Sequence, residues 1–303
     1  MVFPGQGSQS VGMQAELAGE FPVVQQTYAE ASDILGYDLW ALVQNGPAEE
    51  LAETVVTQPA MLTAGTAAYR VWQAAGGATP EQVAGHSLGE YTALIAAESL
   101  SFADAMTVVI RRSELMRDAV PAGTGAVAAI IGLEDAGVIS ACNEVSGVGV
   151  AEPVNFNSPG QVVIAGHKEA IDSAMERCVA AGARRALVLP VSVPTHSSLM
   201  IPAGEALRET LSQANFATPI TRVVASMDGE PYTGSDDIRS RLSKQVYSPV
   251  RWVSTVNSMI KGGASSFIEC GPGKVLAGLC RRIDRGTPAT FIDSMDSLQK
   301  SLQ

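Results

Sequence analysis

Charge, aromatic side chains and histidine are all scarce in this chain, and each shortage narrows what it can do. Charged residues are 17% and hydrophobic residues 46% of the 303 positions. That balance excludes a solvated disordered chain and predicts a sizeable buried core. The four cysteines, Cys142, Cys178, Cys270 and Cys280, show no C-x-x-C spacing and no zinc-finger companions. They are expected as small reduced hydrophobes, which fits a cytoplasmic protein with no metal and no disulfide framework. No apolar run approaches the roughly 18 residues of a membrane span, so no membrane association is expected. Met1-Val2-Phe3-Pro4 offers neither a basic region nor an apolar signal core, so no export is expected. A net charge of −11 argues against nucleic-acid binding, which needs a basic surface. Lys274, Arg281, Arg282 and Arg285, with Arg184 and Arg185 upstream, form the one basic set. It reads either as scattered solvated charge or as a face for an acidic partner.

What is present is an alternation of helical segments and short strands, the signature of an α/β fold with a parallel sheet. Ala48 to Thr54 and Ala60 to Ala74 read as helices, and Gln82-Val83-Ala84 as a strand. A longer helix follows Ser101-Phe102-Ala103-Asp104, a capping-box spacing. Pro121-Ala122-Gly123-Thr124-Gly125 then breaks the chain. Beyond it the order changes to strand Ala126–Leu133, helix Glu134–Ser146, strands Val148–Phe156 and Gln161–Ala165, helix His167–Ala181 and strand Arg185–Val191. This is βαββαβ, a ferredoxin-like unit. The expected division is a large α/β domain of residues 1–122 and 192–303 with a small inserted domain of residues 123–191. The strand Ser266–Cys270 leads through Gly271-Pro272-Gly273-Lys274 into another helix of the large domain.

The most informative pentapeptide is Gly85-His86-Ser87-Leu88-Gly89, set between a strand and the helical segment from Glu90. In this G-x-S-x-G context a serine is held exposed on a sharp strand-to-helix turn. The helix start leaves unpaired N–H groups beside it, that of Leu88 included, where an oxyanion can be held. The plainer reading is a glycine-rich turn whose serine caps the helix.

Arg112 stands out on the helix after Ser101. Ala105, Val108, Val109, Leu115 and Met116 share its side at 3.6-residue spacing, so it projects from the apolar face. Arg111 shares a side with Asp104, Thr107 and Glu114, an ordinary solvated face. A guanidinium keeps its proton, and leaving it buried and unpaired costs about 3–5 kcal/mol. Two readings follow: a core Arg–carboxylate pair, or a fork waiting for the carboxylate of a substrate.

Only three histidines exist. His86 adjoins the serine, and neighbouring side chains on a sharp turn diverge. His167 opens a helix of the small domain as a capping or surface residue. His196, in Pro194-Thr195-His196-Ser197-Ser198, lies where the chain returns to the large domain and is the expected general base. No Asp or Glu stands near it before Glu205, so a Ser–His dyad is expected, its imidazole oriented by a neutral group such as a backbone carbonyl. Gly5-Gln6-Gly7-Ser8 lacks the third glycine of a dinucleotide fingerprint, and Gly273-Lys274 lacks the rest of a P-loop, so no nucleotide cofactor is expected.

Phe3-Pro4-Gly5-Gln6-Gly7-Ser8-Gln9, Gly85 to Glu90, Arg112, Asn155-Phe156-Asn157-Ser158-Pro159-Gly160-Gln161, His196 and Glu269 to Lys274 occur in one order and spacing. Together they resemble the malonyl-CoA:acyl carrier protein transacylases of bacterial fatty acid synthesis over essentially the whole chain. The resemblance implies an α/β-hydrolase-like large domain and a ping-pong transfer through a malonyl ester of Ser87, with His196 as base. It implies that Gln6 and Leu88 supply the oxyanion-hole N–H groups, that Arg112 grips the malonyl carboxylate and that the Gln245 carbonyl orients the histidine. Asn155 and Asn157, two apart on a strand, are expected at the entrance, with malonyl-CoA and acyl carrier protein as partners. One departure stands out: Met1-Val2-Phe3 is a short lead into the first motif, which predicts a weakly supported strand. A frayed strand there weakens the Gln6 donor, and one lost donor costs about 2.7–4 kcal/mol. A serine thioesterase or esterase shares the elbow, and a non-catalytic pantetheine-binding module is the remaining reading.

Overall fold

The computed structural model describes residues 1–191 and 193–303; Ser192, at the expected domain boundary, lies outside the described residues. Among them the strands are β1 (Val2–Phe3), β2 (Gln82–Gly85), β3 (Gly125–Ile131), β4 (Ala151–Ser158), β5 (Gln161–His167), β6 (Arg185–Val188), β7 (Arg222–Val224), β8 (Phe267–Cys270) and β9 (Ala289–Ile292). They form two sheets. One has the order β7-β2-β1-β8-β9, with every pairing parallel. The other has the order β4-β5-β3-β6, with every pairing antiparallel. The fold is therefore α/β with a separate antiparallel unit, as the strand order implied.

The short lead into the first motif does not fray. β1 is the central strand of the parallel sheet, and Val2 and Phe3 are fully buried between β2 and β8. The Met1 nitrogen donates to the Gln82 carbonyl at 2.7 Å, and His86 N donates to the Phe3 carbonyl at 3.0 Å. Two residues suffice because neighbours on both sides satisfy their backbone groups. The Phe3 ring also meets the Tyr69 ring edge-on, with centroids 6.1 Å apart.

Helix boundaries differ from expectation where tertiary burial overrides local propensity. The helix expected from Ala60 runs over Thr54–Ala74 and passes through Pro59. Its burial on nearly every side offsets the hydrogen bond that proline cannot make. The preceding segment is only the short helix Ala48–Ala52. The helix Phe102–Asp118 starts as read, with the Ser101 hydroxyl accepting from Asp104 N.

The antiparallel unit carries a separate apolar cluster on each face, and register shifts at Pro153/Asn155 and Phe156/Ser158 interrupt the two-residue alternation along β4. Ala128, Ile130, Phe156, Val162 and Ile164 pack beneath the helices Asp135–Asn143 and Lys168–Ala180. Val127, Val154, Val163 and Ala165 form a second apolar cluster on the opposite face with Leu189 and Val191. The unit is stitched to the rest of the chain along β4, where Phe156 N donates to the Val250 carbonyl and Val250 N to the Val154 carbonyl, each at 2.8 Å. The cation of Arg251 lies 5.0 Å above the Phe156 ring.

Because β1 sits in the middle of the parallel sheet, Phe3→Ala is expected to cost about 3–5 kcal/mol of unfolding free energy. Urea titration followed by circular dichroism reads this directly. A loss below about 1 kcal/mol would mean that β1 is not docked as described.

Candidate active site

Three loops converge at the carboxyl ends of adjacent parallel strands, where open α/β sheets bind their ligands. Pro4-Gly5-Gln6 follows β1, His86-Ser87 follows β2, and Gly271-Pro272-Gly273 follows β8. The Ser87 turn is tight. A Cβ on Gly85 would overlap the Gly89 backbone, and one on Gly89 would overlap the Phe3 carbonyl. Strand and helix can approach this closely only without those side chains. Ser87 itself takes φ 52°, a left-handed conformation that few non-glycine residues adopt.

The Ser87 Oγ lies 2.7 Å from His196 Nε2. On the far side of the ring, Nδ1 faces two backbone carbonyls, Gln245 O at 2.8 Å and Ser248 O at 3.1 Å. Carbonyls only accept, so Nδ1 carries the proton and Nε2 is left to accept from the serine hydroxyl. No carboxylate touches the imidazole among the described residues. The loop that bears His196 is held by backbone and carboxylate anchors. His196 N donates to Val246 O at 3.1 Å, and Ser198 donates through N and Oγ to Glu152 at 2.6 and 2.8 Å. Burial first, and the Arg112 charge second, pull the His196 pKa from 6.5 down to about 3. The imidazole is therefore neutral throughout the physiological range.

Arg112 is buried, with 2% of its surface exposed, yet it forms no ion pair among the described residues. Its guanidinium donates to Gln58 Oε1, to Gln245 Oε1 at 3.1 Å and to Ser87 Oγ at 3.2 Å. Its Nε has no partner among the described residues. Of the two readings open from the sequence, the direct core Arg–carboxylate pair is absent. Arg111, by contrast, pairs with Glu114 at the surface.

The cleft between the two sheets measures about 210 Å³. Gln6, Leu88, Asn155, Asn157, Ser87 and His196 all line it. So do Val127, Val163, Leu189 and Val191 from the outer face of the antiparallel sheet. Among the described residues Arg112 is the one fixed charge in that lining. His86 turns away from His196, its Nε2 2.8 Å from Asn157 Oδ1 and its ring against Trp252. His167 sits at the start of the helix Lys168–Ala180 and accepts from Val150 N through Nδ1, remote from the cleft. The N–H groups of Gln6 and Leu88 have no hydrogen-bond partner among the described residues.

Gln58, Ser248 and Glu152 contribute without having stood out in the sequence, and Glu90 and Glu269, which belong to the two quoted motifs, were given no role there. Gln58 lies in an unbroken helical segment and carries no local signal. Glu269 follows an ordinary strand pattern, yet its Oε2 accepts from Ala277 N at 2.8 Å and anchors the helix Val275–Ile283. Val275, Leu276 and Leu279 of that helix form one wall of the cleft. Burial pushes the Glu269 carboxyl up to about 7 against those backbone hydrogen bonds.

Comparison with known proteins agrees with this architecture. The acyl transferase domain family matches residues 1–295. Over 302 residues the chain is 53% identical to the malonyl CoA-acyl carrier protein transacylase of Escherichia coli, covering 100% of this chain and 98% of that protein. It superposes with a TM-score of 0.98 and 52% identity on a chain of the solved complex between a type II polyketide acyl-carrier protein and its malonyl-transacylase, covering 100% of this chain and 98% of that one. The acyl carrier protein S-malonyltransferase of Vibrio cholerae gives a TM-score of 0.95 at 52% identity, covering 99% and 98%. The fold and these matches define an acyltransferase. Within that class, the chain belongs to the malonyl CoA-acyl carrier protein transacylase family.

The depressed His196 pKa carries a signed expectation. Covalent modification of Ser87 by a phosphonofluoridate, read by mass spectrometry, should keep its rate from pH 8 down to about pH 5, because the imidazole stays neutral. Arg112→Met removes a charge that lowers the His196 pKa, so the acid limb should move upward toward 6.5. A parent limb already at 6.5, or no movement in the variant, contradicts the electrostatics described.

Proposed function

We propose that the chain transfers the malonyl group of malonyl-CoA to the phosphopantetheine thiol of acyl carrier protein, in the cytoplasm and in service of fatty acid biosynthesis. The chemistry proceeds through a malonyl ester of Ser87. His196 Nε2 takes the hydroxyl proton as Ser87 Oγ attacks the thioester carbonyl. The N–H groups of Gln6 and Leu88 hold the oxyanion, the C–S bond breaks, and the proton passes to the departing CoA thiolate. The carrier thiol then gives its proton to His196 and attacks the serine ester; the ester C–O bond breaks, His196 returns the proton to Ser87 Oγ, and the carrier leaves as the malonyl thioester. Asn155 and Asn157 line the entrance, and the Gln245 carbonyl keeps the imidazole in the productive tautomer. The division into residues 1–122 and 192–303 against 123–191 puts the cleft between the two units.

One observation carries this reading. The guanidinium beside Ser87 has no carboxylate in direct contact among the described residues, so a carboxylated acyl group completes the site and a plain acetyl group does not. The relatives from Escherichia coli and Vibrio cholerae are likewise named as malonyl transferases.

Incubation with malonyl-CoA should leave a malonyl adduct on Ser87, visible by intact mass. Acyl carrier protein should discharge it within seconds to minutes and water far more slowly. Rapid release of free malonate would make the protein a thioesterase, and full biological function in Ser87→Ala would make it a binding module. Arg112→Ala should lose about 100-fold or more in malonyl transfer, as expected for removal of a buried charged contact, while relative acetyl transfer rises. Retained malonyl preference in that variant contradicts the specificity mechanism.

The carrier surface follows from charge. Arg184, Arg185 and Arg282 gather around the turn Ser158–Gln161, where Arg282 donates to Gln161 Oε1 at 2.7 Å. Arg281 is instead tied to the Ala289 carbonyl, and Lys274 lies 5.9 Å from the Phe291 ring. Reversing Arg185 and Arg282 to Glu should raise KM for the acidic carrier protein and leave malonyl-CoA loading unchanged. Unaltered carrier kinetics would remove this face as the docking site.

A further inference from the structure

A buried cation without a direct counter-ion needs compensation from somewhere, and the structure holds an anion one amide away. Glu90, the second residue of the helix Gly89–Ala96, is fully buried. Its Oε2 accepts from Ser226 N at 3.2 Å, Ser226 Oγ at 2.7 Å and Gln245 Nε2 at 2.8 Å, and its Oε1 accepts from the Tyr232 hydroxyl. Four donors converge on it, the partner set of an ionised carboxylate. Arg241 stacks over the Tyr232 ring, but it is paired with Asp228 and Asp237.

The Gln245 side chain joins Glu90 to the site. Its Nε2 donates to Glu90 and, at 2.9 Å, to the Ser87 carbonyl. Its Oε1 accepts from the Arg112 guanidinium. The opposite amide orientation would set its NH2 against a cation and its oxygen against an anion, so the two charges fix its direction. The chain of contacts therefore runs guanidinium, amide oxygen, amide nitrogen, carboxylate. Glu90 also pushes the Arg112 pKa back up against burial, together with Tyr91.

We propose that Glu90 is the resident counter-ion of Arg112, coupled through the Gln245 amide, and that this spacing leaves the guanidinium fork open for the acyl carboxylate. A carboxylate in direct contact would compensate Arg112 equally well but would occupy the nitrogens a substrate needs. One amide of separation lowers the cost of the buried charge and keeps Nε and the Ser87-facing nitrogen exchangeable. Glu90 is a positioning residue in this scheme, acting on substrate through Gln245 and Arg112. The inference deepens the assignment of Arg112 made under the proposed function and rests on it for substrate identity alone.

The test is a charge cycle read by urea unfolding and by kinetics. Glu90→Gln should lower stability in the parent, where Arg112 loses its anion. In the Arg112→Met background, where Glu90 is itself uncompensated, the same change should be neutral or stabilising. In Glu90→Gln, malonyl loading should raise the melting temperature by more than it does in the parent, because the malonyl carboxylate replaces the lost charge. Acetyl loading should give no such increment, and kcat should fall about tenfold with no rise in KM for malonyl-CoA. A second variant guards against simple misfolding. The exchange Glu90→Gln with Gln245→Glu keeps charge and size and moves the carboxylate against Arg112, so KM for malonyl-CoA should rise about tenfold. Equal stability losses in both Arg112 backgrounds, or an unchanged KM in the exchange variant, would overturn the relay. Absence of any malonyl adduct in the parent would instead overturn the proposed function, and the unfolding cycle would still judge the relay.

Discussion

The Arg112 guanidinium is almost wholly buried, within hydrogen-bond reach of the elbow serine, and it meets amides and a hydroxyl where a carboxylate is expected. A cation in that setting is costly unless negative charge is near. Burial, and then this same cation, draw the His196 pKa down, so the imidazole stays neutral. In the proposed reaction, the burial of Arg112 would couple substrate choice to proton transfer through one electrostatic field. Gln245 touches all three groups at once, through its carbonyl to His196, its amide oxygen to Arg112 and its amide nitrogen to the Ser87 carbonyl.

The parallel sheet makes this concentration possible. β1, β2 and β8 are adjacent, and their carboxyl ends deliver the Gln6 loop, the serine elbow and the wall formed by the helix Val275–Ile283 to one edge. The antiparallel sheet closes the cleft with its outer face. Its strands turn one set of apolar side chains and two asparagines toward the cleft and a separate apolar set under its own helices. Each unit therefore has its own core, and the reacting groups lie where their surfaces meet.

Much of this was legible in the sequence because local signals coincide with the constraints that matter. The strand–turn–helix around Ser87 is announced by Gly85 and Gly89, and the inward side of Arg112 follows from the 3.6-residue spacing of Val108, Val109 and Met116. The βαββαβ order of residues 123–191 follows from alternation and turn residues. Where reading failed, the cause was tertiary. The helix read from Ala60 begins at Thr54 instead, and burial carries it through Pro59. Met1-Val2-Phe3 looked like a fraying edge, yet neighbours distant in sequence clamp it as the central strand. Gln58, Glu152 and Glu90 act through contacts 46 or more positions away, and no local pattern encodes such partners.

A structure of the enzyme loaded from malonyl-CoA, without carrier protein, tests the role of the buried cation most directly. The expected result is an ester on Ser87 whose free carboxylate lies within about 3 Å of the Arg112 nitrogens, in place of the contact between Arg112 and the Ser87 Oγ. A loaded serine whose carboxylate points to solvent, with the guanidinium still held only by Gln58 and Gln245, would contradict it.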